Sequence, residues 1–79
     1  MKDYEWNEDF GSQKANVRAW LLDGRSITPL EALNNFGSLR LSAIIFRLRE
    51  DGLPIEMERL QVSPKKRVAR YFIKKENLN

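Results

Sequence analysis

The side chains able to do chemistry in this 79-residue chain are arginines, lysines and carboxylates, for it contains no cysteine and no histidine. Disulfides, thiolate catalysis and cysteine-ligated zinc are thereby removed, along with the usual general base and the commonest metal ligand. Glu56 and Glu58 are close carboxylates, but at alternate positions of an extended segment they share a face open to water. No glycine-rich phosphate loop or activated nucleophile accompanies them, so no enzymatic activity, cofactor or metal is expected. The basic groups are more informative. Residues 1–39 carry four against six acids, net −2, whereas residues 40–79 carry ten against five, net +5. Between Val62 and Lys75 there are six cations and no acid. A basic second half of this kind is the footprint of a polyanion binder; the plain alternative is a solvated charged surface.

Two clusters of candidates emerge. In the stretch 38–51, Leu41, Ile44, Ile45 and Leu48 recur at i, i+3, i+4, i+7, the apolar stripe of a helix. With that stripe inward, the opposite side carries Leu39, Ala43, Phe46 and Glu50, flanked by Arg40, Ser42, Arg47 and Arg49. Arginine can bridge both acceptors of a guanine edge in the major groove, and small side chains let a helix approach closely. Ser38, Arg40, Ser42 and Ala43, at the start of this helix, are the first candidates for base contact, with Arg47 next. The competing role for the arginines is to contact phosphates or to pair with Glu50 and Asp51, and for Arg49 this competing role is the preferred reading. Phe46 is open between stacking on the hairpin, lining a partner surface and touching a thymine methyl. The second cluster is Lys65, Lys66 and Arg67, at or beside a turn, with Arg70 expected to point out of the returning strand. Such a tip tracks phosphates or enters a minor groove, or its lysines simply protect a sheet edge.

These side chains must be carried by defined elements. Ser12 to Asp23 reads as a first helix stopped by Gly24, with Val17, Trp20 and Leu21 on one stripe and Ala15, Ala19 and Leu22 on another. Ser26-Ile27-Thr28 looks like a short strand. Thr28, Pro29 and Glu31 then form a helix start, as N-cap, first helical residue and capping-box partner. Leu30, Leu33 and Phe36 are expected along one side of this second helix, and Gly37 ends it in left-handed backbone. Ser38 is expected to cap the third helix. After Gly52 and Pro54, Ile55 to about Val62 reads as a strand whose alternation slips near Arg59-Leu60, predicting a bulge or change of face. Ser63-Pro64-Lys65-Lys66 makes the turn, Arg67 to Ile73 the returning strand, and Lys74 to Asn79 a frayed end. Two short helices joined at a glycine form a helix-turn-helix, whose second helix enters DNA, and a trailing hairpin makes it winged. The fold class is therefore α+β, a winged helix-turn-helix of three helices with a short strand and a C-terminal β-hairpin wing. Residues 11–74 form the domain, between an acidic aromatic tail, 1–10, expected to be flexible and a frayed terminus, 75–79.

Thr28-Pro29-Leu30-Glu31-Ala32-Leu33, Phe36-Gly37, Arg40-Leu41, Leu48-Arg49 and Lys66-Arg67-Val68-Ala69-Arg70-Tyr71 resemble a family of small helix-turn-helix proteins found largely in phages, prophages and related bacterial sequences. The resemblance spans roughly residues 14–73 and implies a winged helix that binds double-stranded DNA as a small phage or prophage transcriptional regulator. The chain departs from the family in Ile44, where a polar or basic residue is common, and in its aromatic acidic tail. An excisionase-like role, and a protein-interaction module binding a host factor or a second copy, are the alternatives. No apolar run is long enough for a membrane span, and the resemblance implies the cytoplasm of a bacterial host cell as the setting.

Overall fold

The structure, a computed structural model, describes residues 10–78. Residues 1–9, most of the acidic tail, lie outside the described residues, as does Asn79. The elements run α1 (Phe10–Leu22), α2 (Pro29–Phe36), α3 (Leu41–Glu50), β1 (Ile55–Ser63) and β2 (Lys66–Ile73), closed by a short 3₁₀ turn, Lys75–Asn77.

Local chemistry sets the start and end of α2. Thr28 is extended, its hydroxyl accepts the Glu31 N–H at 3.2 Å, and the Glu31 carboxylate accepts the Thr28 N–H at 2.9 Å. Gly37 ends the helix at φ 67°, a conformation in which a Cβ would be strained. Its N–H reaches Leu33 O and the Ser38 N–H reaches Ala32 O, so the chain reverses within a few residues.

The inner stripe of α3 is the centre of the core. Leu41, Ile44, Ile45 and Leu48 are all buried, and they meet Val17 and Leu21 of α1, Ala32 of α2, Ile27, and Ile55 and Ile73 of the hairpin base. Ile44 is completely enclosed. Trp20 joins three segments at the core's margin. It meets Phe36 edge-on at 5.4 Å, donates its indole N–H to Ser26 O at 2.8 Å, and lies under the Arg25 guanidinium. Aromatic and cation contacts of this sort add modestly to the area they bury.

The hairpin is anchored on both sides. The short strand expected at 26–28 is a single antiparallel bridge, in which Ile27 and Tyr71 exchange both backbone hydrogen bonds at 2.9 Å. β2 therefore lies between Ile27 and β1. The ladder runs without a break from Ile55 opposite Ile73 to Gln61 opposite Arg67, then resumes with Ser63 opposite Lys66.

Several expectations need correcting. α1 begins at Phe10 and ends at Leu22, and its second stripe of Ala15, Ala19 and Leu22 faces outward. On α2 the fully buried position is Ala32, small enough for close helix approach, while Leu30 is 64% exposed. No bulge occurs at Arg59-Leu60; the irregularity falls at Val62, next to the turn. A change of face does occur, because Ile55 is buried but Glu58 and Leu60 are the half-buried residues further along β1. The carboxyl end, expected to fray, folds into the 3₁₀ turn and packs Leu78 against the core.

Truncating Ile44 to alanine removes atoms from a fully buried core position, and is expected to cost about 2–5 kcal/mol in chemical denaturation. Gly37→Ala, which creates no cavity but forces a side chain into left-handed backbone, is expected to cost about 1–2 kcal/mol.

Candidate nucleic-acid interface

Burial of one stripe of α3 turns the other outward. Ser42, Ala43, Phe46, Arg47 and Glu50 are exposed, Phe46 at 59%, and Leu39 just before the helix is 79% exposed. Arg40 occupies the N-cap position with its side chain in solvent and makes no capping bond. Arg47 lies 3.7 Å from Glu50 on the same open surface, a contact that solvent weakens and that a stronger anion would displace.

Ser38 does not belong to this surface. It is buried, and its hydroxyl accepts the Arg40 N–H at 3.2 Å. Instead of capping α3 or reaching a base, it braces the connection between α2 and α3, and α3 starts three residues later. Its position beside the glycine turn draws it inward, because a short connection with buried backbone needs an internal acceptor.

Arg49 is also structural, though not as a partner of Glu50 or Asp51. Its Nε and a terminal nitrogen both donate to Ile55 O, at 3.2 and 3.1 Å, joining the last turn of α3 to the first residue of β1. Asp51 pairs instead with Lys14 of α1 at 2.7 Å.

In the hairpin, Lys65 occupies the turn, Lys66 opens β2, and Arg67 follows it; all three are exposed. Successive residues of β2 face opposite ways. Lys66 shares its side with Val68 and lines a groove with Leu39 and Leu41, the neighbours of Arg40. Arg67 lies on the reverse side, which it shares with Arg59 of β1 according to the ladder register. Arg59 is an exposed cation absent from the candidate set, and strict alternation with Gln61 opposite Arg67 is the signal that finds it. Arg70 departs from expectation. It stands directly opposite Glu58, is half-buried, and donates to the Glu58 carboxylate. That pairing follows from register, which places the two groups across from each other on one face.

The result is two basic regions flanking one concavity, the turn into α3 on one side and the outer half of the wing, with Lys66, on the other. The family described as a winged helix-turn-helix domain matches residues 12–76. The chain belongs to that family. Winged helix-turn-helix domains are typically non-enzymatic DNA-binding modules, and the membership suggests DNA binding for this chain. No curated protein and no solved structure matches it. Among the described residues, no helix is long and apolar enough to cross a membrane.

The two arginines of the last turn of α3 separate by experiment. Arg49→Ala strands the Ile55 carbonyl and removes two charge-assisted hydrogen bonds, so unfolding free energy is expected to fall by about 1.5–3 kcal/mol. Arg47→Ala removes only a loose exposed contact and is expected to stay within about 0.5 kcal/mol of the parent.

Proposed function

We propose that this winged helix-turn-helix domain binds double-stranded DNA with α3 in the major groove. The hairpin tip then rests on the neighbouring backbone or minor groove, and the protein serves as a small phage or prophage transcriptional regulator. The observation that carries the reading is the groove that Lys66 of the wing shares with the residues on either side of Arg40, while α3 turns Ser42, Ala43 and Arg47 outward. Arg40 and Arg47 are assigned to base edges or adjacent phosphates, with Ser42 and Ala43 allowing close approach. Lys65, Lys66 and Arg67 are assigned to the sugar-phosphate rail, joined by Arg59 on the reverse side of the hairpin. Arg70, paired with Glu58, has no part in the proposed contact set, and neither does buried Ser38. The phage setting rests on the resemblance of the Thr28–Leu33 and Lys66–Tyr71 segments, and the regulatory role on small size together with a DNA-binding fold.

A second reading has its own support in the exposed Leu39 and Phe46, large apolar side chains that suit a protein partner such as a host factor. Salt separates the two. Random duplex DNA is expected to shift at low salt, with affinity falling steeply as salt rises, at a slope set by about four to six phosphate contacts. No shift at low salt would favour the protein partner.

Side-chain roles are tested within the same assay. Replacing Lys65 and Lys66 by alanine is expected to weaken binding to every sequence and to flatten the salt slope by about two contacts. Arg40→Ala is expected to relax preference at one base position, losing about 1–3 kcal/mol of discrimination there, as read from selection out of a random pool. Equal loss on all sequences would move Arg40 to the backbone set.

A further inference from the structure

The two edges of the hairpin are unequal. On the far side of β2, Ile27 and Tyr71 exchange both backbone hydrogen bonds. Tyr71 therefore turns its N–H and C=O away from β1. By the alternation of an antiparallel ladder, Met57 opposite it turns its own groups away from β2. Met57, Arg59 and Gln61 thus direct their backbone N–H and C=O groups out of the open edge of β1. Among the described residues, no backbone group receives them. The edge is closed only at its start, where Ile55 gives its N–H to Leu53 O and its carbonyl accepts Arg49. Unpaired edge groups of this kind are a template for another strand.

We propose that the open edge of β1 pairs with the same edge of a second copy, antiparallel about a two-fold axis at Leu60, joining both hairpins into one sheet. The charges along the edge favour this partner and this direction. Glu56, near the start of β1, and Lys65, in the turn beyond its end, are both exposed and have no ion partner among the described residues. Antiparallel pairing lays the acidic start of one strand beside the basic end of the other, and symmetry repeats the contact. A parallel arrangement would set acid beside acid and base beside base.

Like charges choose the register. An axis at Arg59 sets that arginine opposite itself, and an axis at Glu58 or Met57 sets glutamates against each other. An axis at Gln61 carries the pairing into the irregularity at Val62. An axis at Leu60 avoids all of these. Arg59 then faces Gln61 of the second copy, and the two exchange both backbone hydrogen bonds in each symmetry-related pair. Leu60 meets its own copy in a non-hydrogen-bonded pair, where side chains stand closest. Glu56 comes level with Pro64 of the second copy, beside its Lys65. Leu60 is half-buried and lines the apolar groove with Val62, Val68 and Lys66, so the contact also brings the two grooves together. Lys66 and Arg67 belong to β2, one strand in from the paired edge, and stay available to DNA. That consequence rests on the DNA-binding reading; the pairing does not.

The test uses the full chain without DNA, so its result is independent of the DNA reading. Sedimentation equilibrium is expected to show monomers passing to dimers as concentration rises. Amide hydrogen exchange at Arg59 and Gln61 is expected to slow in step with the dimer, whereas Glu58 and Leu60, whose N–H groups point to β2, stay protected throughout. Glu56→Lys and Lys65→Glu each place like charges across the contact, and both side chains are exposed, away from the core. Each single variant is expected to associate about tenfold more weakly, two symmetric contacts having turned from attraction to repulsion. The double variant Glu56→Lys/Lys65→Glu, with the parent's net charge, is expected to recover the parent's association. A monomer at every concentration would overturn the proposal, and so would a dimer in which Arg59 and Gln61 exchange as fast as in the monomer. Single variants that associate like the parent, or a double variant that does not recover, would overturn the register.

Discussion

The structure depends on the burial of one stripe of α3. Leu41, Ile44, Ile45 and Leu48 are the only α3 residues fully enclosed, and they contact a core contributed by every other described helix and both strands. A helix ten residues long is marginal by itself, so tertiary packing supplies its stability. Packing also sets its rotation. With these four residues inward, Ser42, Ala43, Phe46 and Arg47 have no orientation left but outward. The surface proposed to read DNA is thus a by-product of the constraint that builds the core.

The wing is held to that helix by backbone chemistry more than by side-chain bulk. The Ile27–Tyr71 bridge fastens β2 to the segment before α2, and Arg49 fastens the start of β1 to the end of α3. Ile55 and Ile73 bury the hairpin base, whereas the tip carries only exposed residues. This division suits an element that must be positioned at its root and available at its end. The groove lies where these attachments leave room, between the turn into α3 and the strands of the wing.

Much of this architecture is legible in the residues because it arises from local chemistry. The Thr28–Glu31 cap, the Gly37 stop and the stripe on α3 each involve groups within a few positions of one another, and the structure has all three. The expectations that failed involve groups brought together from a distance. Leu30 and Leu33 share one side of α2, as their spacing implies, but that side borders open groove and Ala32 takes the inner place. Arg70 has the composition of a nucleic-acid contact, but register puts Glu58 opposite it. Arg49 has carboxylates nearby in sequence, yet a carbonyl on the next element captures it.

The sequence by itself determined where α2 begins and ends, which face of α3 is apolar, and that positive charge collects at the second half of the chain. Those properties follow from backbone conformation, hydrophobic period and composition, which act over one or two turns. Tertiary structure decided which cations stay free, which are consumed in pairing, and that Ser38 turns inward. It also decided that the outer half of the wing and the turn into α3 border a single apolar groove. The reason is geometric: a side chain's partner is set by strand register and helix packing, and these exist only once distant segments have met.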